Sequence, residues 1–269
     1  MTEQQTMERI RHRVKTASRL LGDISSVPRV SPLEPDVFNA LAAAGIPFII
    51  VGIVRNWRLY VLTPDALVER FAELRVRSRV ADYDTHAFSK ERKAIEMSLG
   101  EYFELLKRDF SGLPPYLGNQ KLPELDALCQ WPPYFRNHKD RKIWLGPAGT
   151  VTPLHCDYDD NLLAQVWGSK KIMLFPPFCA ENLYCWESNP VLFGSRFNPE
   201  APDLLNFPLA RTVKGCQCVL KGGEMLYLPA GWFHHVRAME FSLSANVWAK
   251  GIPAVCRVDA GFTASGLYG

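Results

Sequence analysis

The residues best placed to do chemistry are His155 and Asp157, two apart in the run Thr152-Pro153-Leu154-His155-Cys156-Asp157. Side chains two apart on a β-strand point to the same face. An imidazole and a carboxylate side by side on one strand are two thirds of the facial triad that binds Fe(II). That triad leaves coordination positions open for other ligands. The third ligand should be a distant His, and Pro229-Ala230-Gly231-Trp232-Phe233-His234-His235 offers two neighbours. Adjacent residues on a strand face opposite sides, so only one of His234 and His235 can reach the pair. Competing readings of His155 and Asp157 are a structural His–Asp hydrogen bond or a zinc site. Cys156, between them, should point away from the metal into packing.

These residues need rigid strands to hold them, and from residue 142 onward the chain reads as closely spaced short strands. They fall at 142–146, 150–155, 162–167, 171–175, 217–220, 224–228, 232–236 and 241–248. Many short strands separated by Gly and Pro turns predict a sandwich or barrel, here a cupin-type double-stranded β-helix (jelly roll). Before them the pattern predicts a helical region packed on the barrel. Its helices are at 35–44, 64–74 with Thr63 as cap, 89–107 and 122–128, with strands at 48–51 and 76–84. Residues 1–34 read as a basic N-terminal helix (6–21) and a proline-containing linker arm, and 35–269 as a single catalytic domain. Residues 176–214 interrupt the strands for longer than the ~12–15 residues of an ordinary loop. They carry Phe178, Tyr184, Trp186, Phe193, Phe197 and Phe207, so a folded insertion over the barrel mouth is expected.

Taken together, Gly149-Thr150-Val151-Thr152-Pro153-Leu154-His155-Cys156-Asp157, Asn161, Gly168-Ser169-Lys170, Phe175-Pro176-Pro177 and Trp232-Phe233-His234 resemble the JmjC-type 2-oxoglutarate oxygenases. The likeness is to their protein-hydroxylase branch, which includes factor inhibiting HIF. It covers most of the chain, from Pro47 to Trp248, and is specific from Gly146 onward.

The resemblance implies a site. His155, Asp157 and His234 would be the metal ligands, His234 because it stands in the family's Pro-x-x-aromatic-aromatic-His turn. His235 would be a packing residue satisfied by a backbone carbonyl or water. Either Lys170 or Lys171 can face inward by alternation, and the family spacing selects Lys170. A buried ammonium needs a partner, and the far carboxylate of 2-oxoglutarate would be that partner. Thr152 can donate to the same carboxylate, and by resemblance Tyr116 is a third donor. Asn161 and Asn246 match amide positions near the iron-bound end of the co-substrate, and Trp248 matches an aromatic wall.

The implied function is an Fe(II)- and 2-oxoglutarate-dependent dioxygenase that consumes O2 and hydroxylates a C–H bond, releasing succinate and CO2. A protein or peptide side chain leads as substrate. The rivals are a small-molecule or natural-product hydroxylase, an N-methyl demethylase, a tRNA-base hydroxylase, and a non-catalytic metal-binding cupin used as an interaction module. Gly118, two residues after Tyr116, supplies no side chain where relatives can carry a polar substrate contact. Glycines at 251, 261, 266 and 269 and Pro253 make dimerisation through a C-terminal helix pair unexpected.

Composition agrees with a globular protein that has a substantial core. Apolar residues are 47% of the chain and the net charge of +3 does not call for nucleic acid as partner. The longest apolar run, 40–54, is interrupted by Pro47 and too short to cross a membrane, and no secretory signal is expected. Seven scattered cysteines, with no Cys-x-x-Cys pair, suggest a reduced, cytoplasmic setting.

Overall fold

The computed structural model describes residues 27–249 except 44, 86, 88–91, 136, 139–140, 158 and 189–191. The basic helix expected at 6–21 and the segment after residue 249 lie outside the described residues. In chain order the strands are β1 (Arg29–Val30), β2 (Phe48–Ile50), β3 (Arg75–Arg79), β4 (Ala94–Ser98), β5 (Leu117–Gln120), β6 (Lys142–Gly146), β7 (Val151–Asp157) and β8 (Asp160–Trp167). After them come β9 (Ser169–Phe175), β10 (Cys185–Ser188), β11 (Leu192–Ser195), β12 (Cys216–Lys221), β13 (Met225–Leu228), β14 (Phe233–Ala238) and β15 (Ser242–Ala249).

They form a seven-stranded sheet, β1-β2-β13-β8-β15-β6-β5, and a six-stranded sheet, β10-β11-β7-β14-β9-β12. Ile49, Leu163, Leu226 and Leu228 of the first sheet meet Ile172, Leu174, Leu220 and Val236 of the second in one buried cluster. The two sheets therefore face each other across an apolar interior, the jelly roll that the strand pattern predicts. Alternation makes this possible: in β9, Ile172 and Leu174 enter the interior while Lys171 and Met173 turn outward. β13 (Met-Leu-Tyr-Leu) is buried on both faces, because helices cover the outside of its sheet.

That covering layer comes from the N-terminal half. Phe38, Leu67, Leu99 and Tyr102, on helices Pro35–Ala43, Pro64–Phe71 and Leu99–Leu105, pack against Ile50, Ala164, Tyr227 and Ala245. Thr63 caps the second of these helices, accepting from the Ala66 amide at 3.2 Å. Part of this region differs from expectation. Residues 94–98, read as helix, form β4 antiparallel to β3, and the helix starts only at Leu99. A capping box fixes that boundary: Ser98 accepts from the Glu101 amide, and the Glu101 carboxylate accepts from the Ser98 amide. Five residues are too few to separate a period of two from one of 3.6, so the sequence pattern alone does not reveal the switch. The strand expected at 76–84 also ends early, at Arg79.

Within the span expected to be a linker arm, β1 runs parallel to β2, and Val27 enters the interior cluster. In the 176–214 insertion, Cys179, Leu183, Phe197 and Ala210, with Phe207 half-buried, pack on Leu154, Cys156, Phe175 and Phe233. Those four are the outward side chains of the six-stranded sheet, so Cys156 does turn into packing. The insertion also supplies β11, which lies antiparallel beside β7, with Gly194 opposite His155 and Leu192 opposite Asp157.

Candidate active site

β7 and β14 are neighbours, and their register sets His234 opposite His155. The side-chain nitrogens of His155 and His234 and a carboxylate oxygen of Asp157 all lie within 4.8 Å of one another. Each Nε2 is 3.9 Å from an Asp157 oxygen, Oδ1 for His155 and Oδ2 for His234. Two ligands each about 2.1 Å from one metal ion are at most about twice that apart, so this spacing can close on a single ion.

The rings are held in the right tautomer. His155 Nδ1 is 2.8 Å from the Pro153 carbonyl and His234 Nδ1 is 3.0 Å from the Trp232 carbonyl. A carbonyl only accepts, so each Nδ1 carries the proton and each Nε2 keeps its lone pair for the metal. Burial, with His234 nearby, pulls the His155 pKa down to about 3, so that imidazole stays neutral. Two imidazole nitrogens with one carboxylate are the donor set that suits Fe(II).

A carboxylate next to two imidazoles must also be oriented. Asp157 Oδ2 accepts from the Trp248 indole at 2.8 Å and from Asn161 at 3.3 Å. Asn246 donates to Asn161 Oδ1 at 3.3 Å, and the Trp144 indole donates to Asn246 Oδ1 at 2.9 Å. Four side chains from β6, β8 and β15 therefore converge on one metal ligand. Trp248 is expected as an aromatic wall of the pocket; its closest polar tie is instead this bond to Asp157. Trp144 was not identified from the sequence, because a half-buried Trp in a strand carries no signal until β6 is paired with β15.

Strand alternation alone would put Thr152 and His155, three apart, on opposite faces. A β-bulge reconciles them. Val236 lies opposite Thr152 while His234 lies opposite His155, so three steps along β7 match two along β14. The extra residue falls at Pro153-Leu154, and a proline, which has no N–H to give to a ladder, is tolerated inside a sheet mainly at such bulges. Thr152 thereby reaches the Tyr116 hydroxyl.

Lys170 is 3% exposed, faces inward with Ile172 and Leu174, and lies 6.0 Å from the centre of the Tyr116 ring. Burial alone lowers its pKa to about 7. No described carboxylate pairs with it, whereas Lys171 turns outward toward Glu200 at 4.0 Å. Lys170, Thr152 and Tyr116 together form a cradle that could hold a carboxylate. His235 also turns outward, but it meets Glu200 Oε2 at 3.1 Å from its Nε2, not the backbone carbonyl or water expected of it.

Comparison with known proteins agrees with this geometry. A family model described as a cupin-like domain matches residues 34–253. The chain is 44% identical over 105 residues to lysine-specific demethylase JMJ30 of Arabidopsis thaliana, covering 39% of this chain and 24% of that protein. It is 31% identical over 219 residues to lysine-specific demethylase 8 of Danio rerio, with 75% and 52% covered. It is also 31% identical over 212 residues to tRNA wybutosine-synthesizing protein 5 of Mus musculus, with 76% and 59% covered. The chain thus spans 24% to 59% of the length of these relatives. Cupin-like domain, jelly-roll sheets and His–Asp–His site agree: the chain belongs to the JmjC-type cupin oxygenases, the family that uses Fe(II), 2-oxoglutarate and O2.

Proposed function

We propose that the chain hydroxylates a C–H bond on a protein or peptide side chain, converting 2-oxoglutarate and O2 to succinate and CO2. One oxygen atom of O2 enters the new hydroxyl and the other enters succinate. The observation that carries this reading is the pairing of the His155–Asp157–His234 site with Lys170, a buried cation that no described carboxylate pairs with.

Fe(II), when bound, supplies the redox chemistry that activates O2 at the expense of 2-oxoglutarate. The chain's own residues do the rest. His155 and His234 present their Nε2 atoms, and Trp248 and Asn161 hold Asp157 in one orientation. Lys170, Thr152 and Tyr116 position the co-substrate by its far end. The closed sheets keep water away from a reactive centre. Two demethylases named for lysine among the relatives support a protein-directed substrate. Among the described residues Cys129, Cys156, Cys179, Cys216 and Cys218 are buried thiols, in keeping with a reduced, cytoplasmic setting. Among the described residues no helix is long and apolar enough to cross a membrane.

The second reading is hydroxylation of a tRNA base, favoured by the match to the wybutosine-synthesizing protein over 76% of the chain. Mass spectrometry separates the alternatives. Incubation of the Fe(II)-loaded protein with 2-oxoglutarate and a peptide library should yield products heavier by one oxygen atom, with matching succinate. Products lighter by one methylene, with formaldehyde, would instead identify a demethylase. Oxygen addition to tRNA and to no peptide would favour the second reading.

A further inference from the structure

Arg79 ends β3 and is only 6% exposed. Its guanidinium forms no hydrogen bond or ion pair among the described residues. It lies 5.6 Å from the centre of the Tyr116 ring and 5.4 Å from that of Trp144. Gly118 makes room for it, since a Cβ there would sit 2.5 Å from Arg79 Cζ. The Tyr83 hydroxyl is buried in the same cluster, its ring 5.9 Å from that of Tyr116, and no described group accepts its proton.

A buried cation without a counter-ion is costly and persists where something outside the chain completes it. Among the described residues the Tyr116 and Trp144 rings flank the guanidinium but no carboxylate neutralises it. Burial and a second arginine, Arg92, act together to lower the Arg79 pKa to about 10. Lys170 lies on the same Tyr116 ring, so two buried cations border one aromatic side chain and no described carboxylate serves either. The co-substrate accounts for one. Trp144, whose ring centre is 6.0 Å from that of Tyr116, also borders Arg79 and leads through Asn246 and Asn161 to Asp157.

We infer that Arg79, with the Tyr83 hydroxyl, binds a carboxylate of the substrate, so that the hydroxylated peptide carries Asp or Glu where it reaches Arg79 beside Tyr116 and Trp144. This rests on the peptide-hydroxylase reading. A planar carboxylate matches the two-pronged face of one guanidinium held among rings. A polynucleotide backbone is instead followed by a track of exposed cations.

The test has two arms, both on the full chain. In the first, the Mn(II)- and 2-oxoglutarate-loaded protein is titrated with N-acetyl-aspartate methylamide, and tryptophan fluorescence is read because Trp144 adjoins Arg79. Saturable quenching is expected. It should weaken at least about tenfold in Arg79→Gln, the loss of one charge-assisted hydrogen bond, and with the asparagine analogue. In the second, hydroxylated products of a degenerate peptide library are sequenced. Enrichment of Asp or Glu at one position is expected, lost in Arg79→Gln and turned toward Lys or Arg in Arg79→Glu. Arg79→Met should melt no lower than the parent, since it removes an uncompensated charge, and it serves as the folded control.

Hydroxylated peptides without an acidic preference, or a preference that Arg79→Gln keeps, would overturn the inference and leave the peptide reading standing. A rise in the 2-oxoglutarate dissociation constant in Arg79→Gln matching that of Lys170→Ala would reassign Arg79 to the co-substrate and overturn it too. An Arg79-dependent product from an RNA pool, with none from peptides, would overturn both.

Discussion

At the scale of single residues, the site depends on which atoms are free to bind and which are tied. His234 and His235 are sequence neighbours with opposite surroundings: one faces Asp157, the other Glu200. His234→Ala should lose iron on desalting while His235→Ala keeps it, read by metal analysis of the eluted protein. Asp157→Ala should likewise lose iron and all 2-oxoglutarate turnover, with an unchanged circular dichroism spectrum. Full decarboxylation by that variant would refute the ligand assignment.

Lys170 gives a pH dependence whose sign follows from its surroundings. Its pKa is near 7 in the protein without co-substrate, and only the ammonium form attracts a carboxylate. Binding of 2-oxoglutarate raises that pKa, so affinity is full below about 7 and falls as pH rises, by up to about tenfold per unit. Calorimetry in two buffers of different ionisation heat should show proton uptake on binding above pH ~8. Lys170→Met should abolish the uptake and raise the dissociation constant more than about tenfold.

At the scale of elements, turns and bulges decide which side chains share a face. Gly168, between β8 and β9, has φ +66°, and a Cβ there would overlap the Phe241 carbonyl oxygen. Gly168→Ala should therefore destabilise the fold by about 1–3 kcal/mol, seen as a lower melting temperature. The same turn starts the strand that carries Lys170, so weaker 2-oxoglutarate binding should accompany the loss. β3 shows how an element can mislead: Arg75 and Arg77 are exposed, and strict alternation would expose Arg79 with them, yet it is buried. Pairing of its backbone with Tyr116, through Arg79 N to Tyr116 O at 2.8 Å and the reverse at 3.0 Å, carries it under the neighbouring strand.

At the scale of the whole molecule, a layer covers each sheet from outside, and the insertion is the layer over the ligand-bearing sheet. Glu200 ties it down, accepting from Arg237 and facing His235 and Lys171. Glu200→Ala leaves three basic groups without that carboxylate and should cost about 1–2 kcal/mol, discounted for the partial exposure of Arg237. Hydrogen exchange should rise at residues 192–195, on β11, while β8 and β15 stay protected. Equal loss of protection in all three would show that the insertion and the barrel open as one unit.

The sequence by itself determined the jelly roll, the metal-site residues His155, Asp157 and His234, and the inward choice of Lys170. The jelly roll and the His155–Asp157 pair rest on period-two alternation, whereas the choice of His234 over His235 and of Lys170 over Lys171 rests on the resemblance to the family. It misread residues 94–98 as helix and left His235 without its partner Glu200. It gave no sign of Trp144 behind Asn246 or of Arg79 beneath Gly118. Each of those depends on what lies across a strand or a layer, 39 to 102 positions away for Arg79–Gly118 and Trp144–Asn246. Only the tertiary structure decided them, because burial and pairing between distant segments are properties of the packed chain and not of any local run of residues.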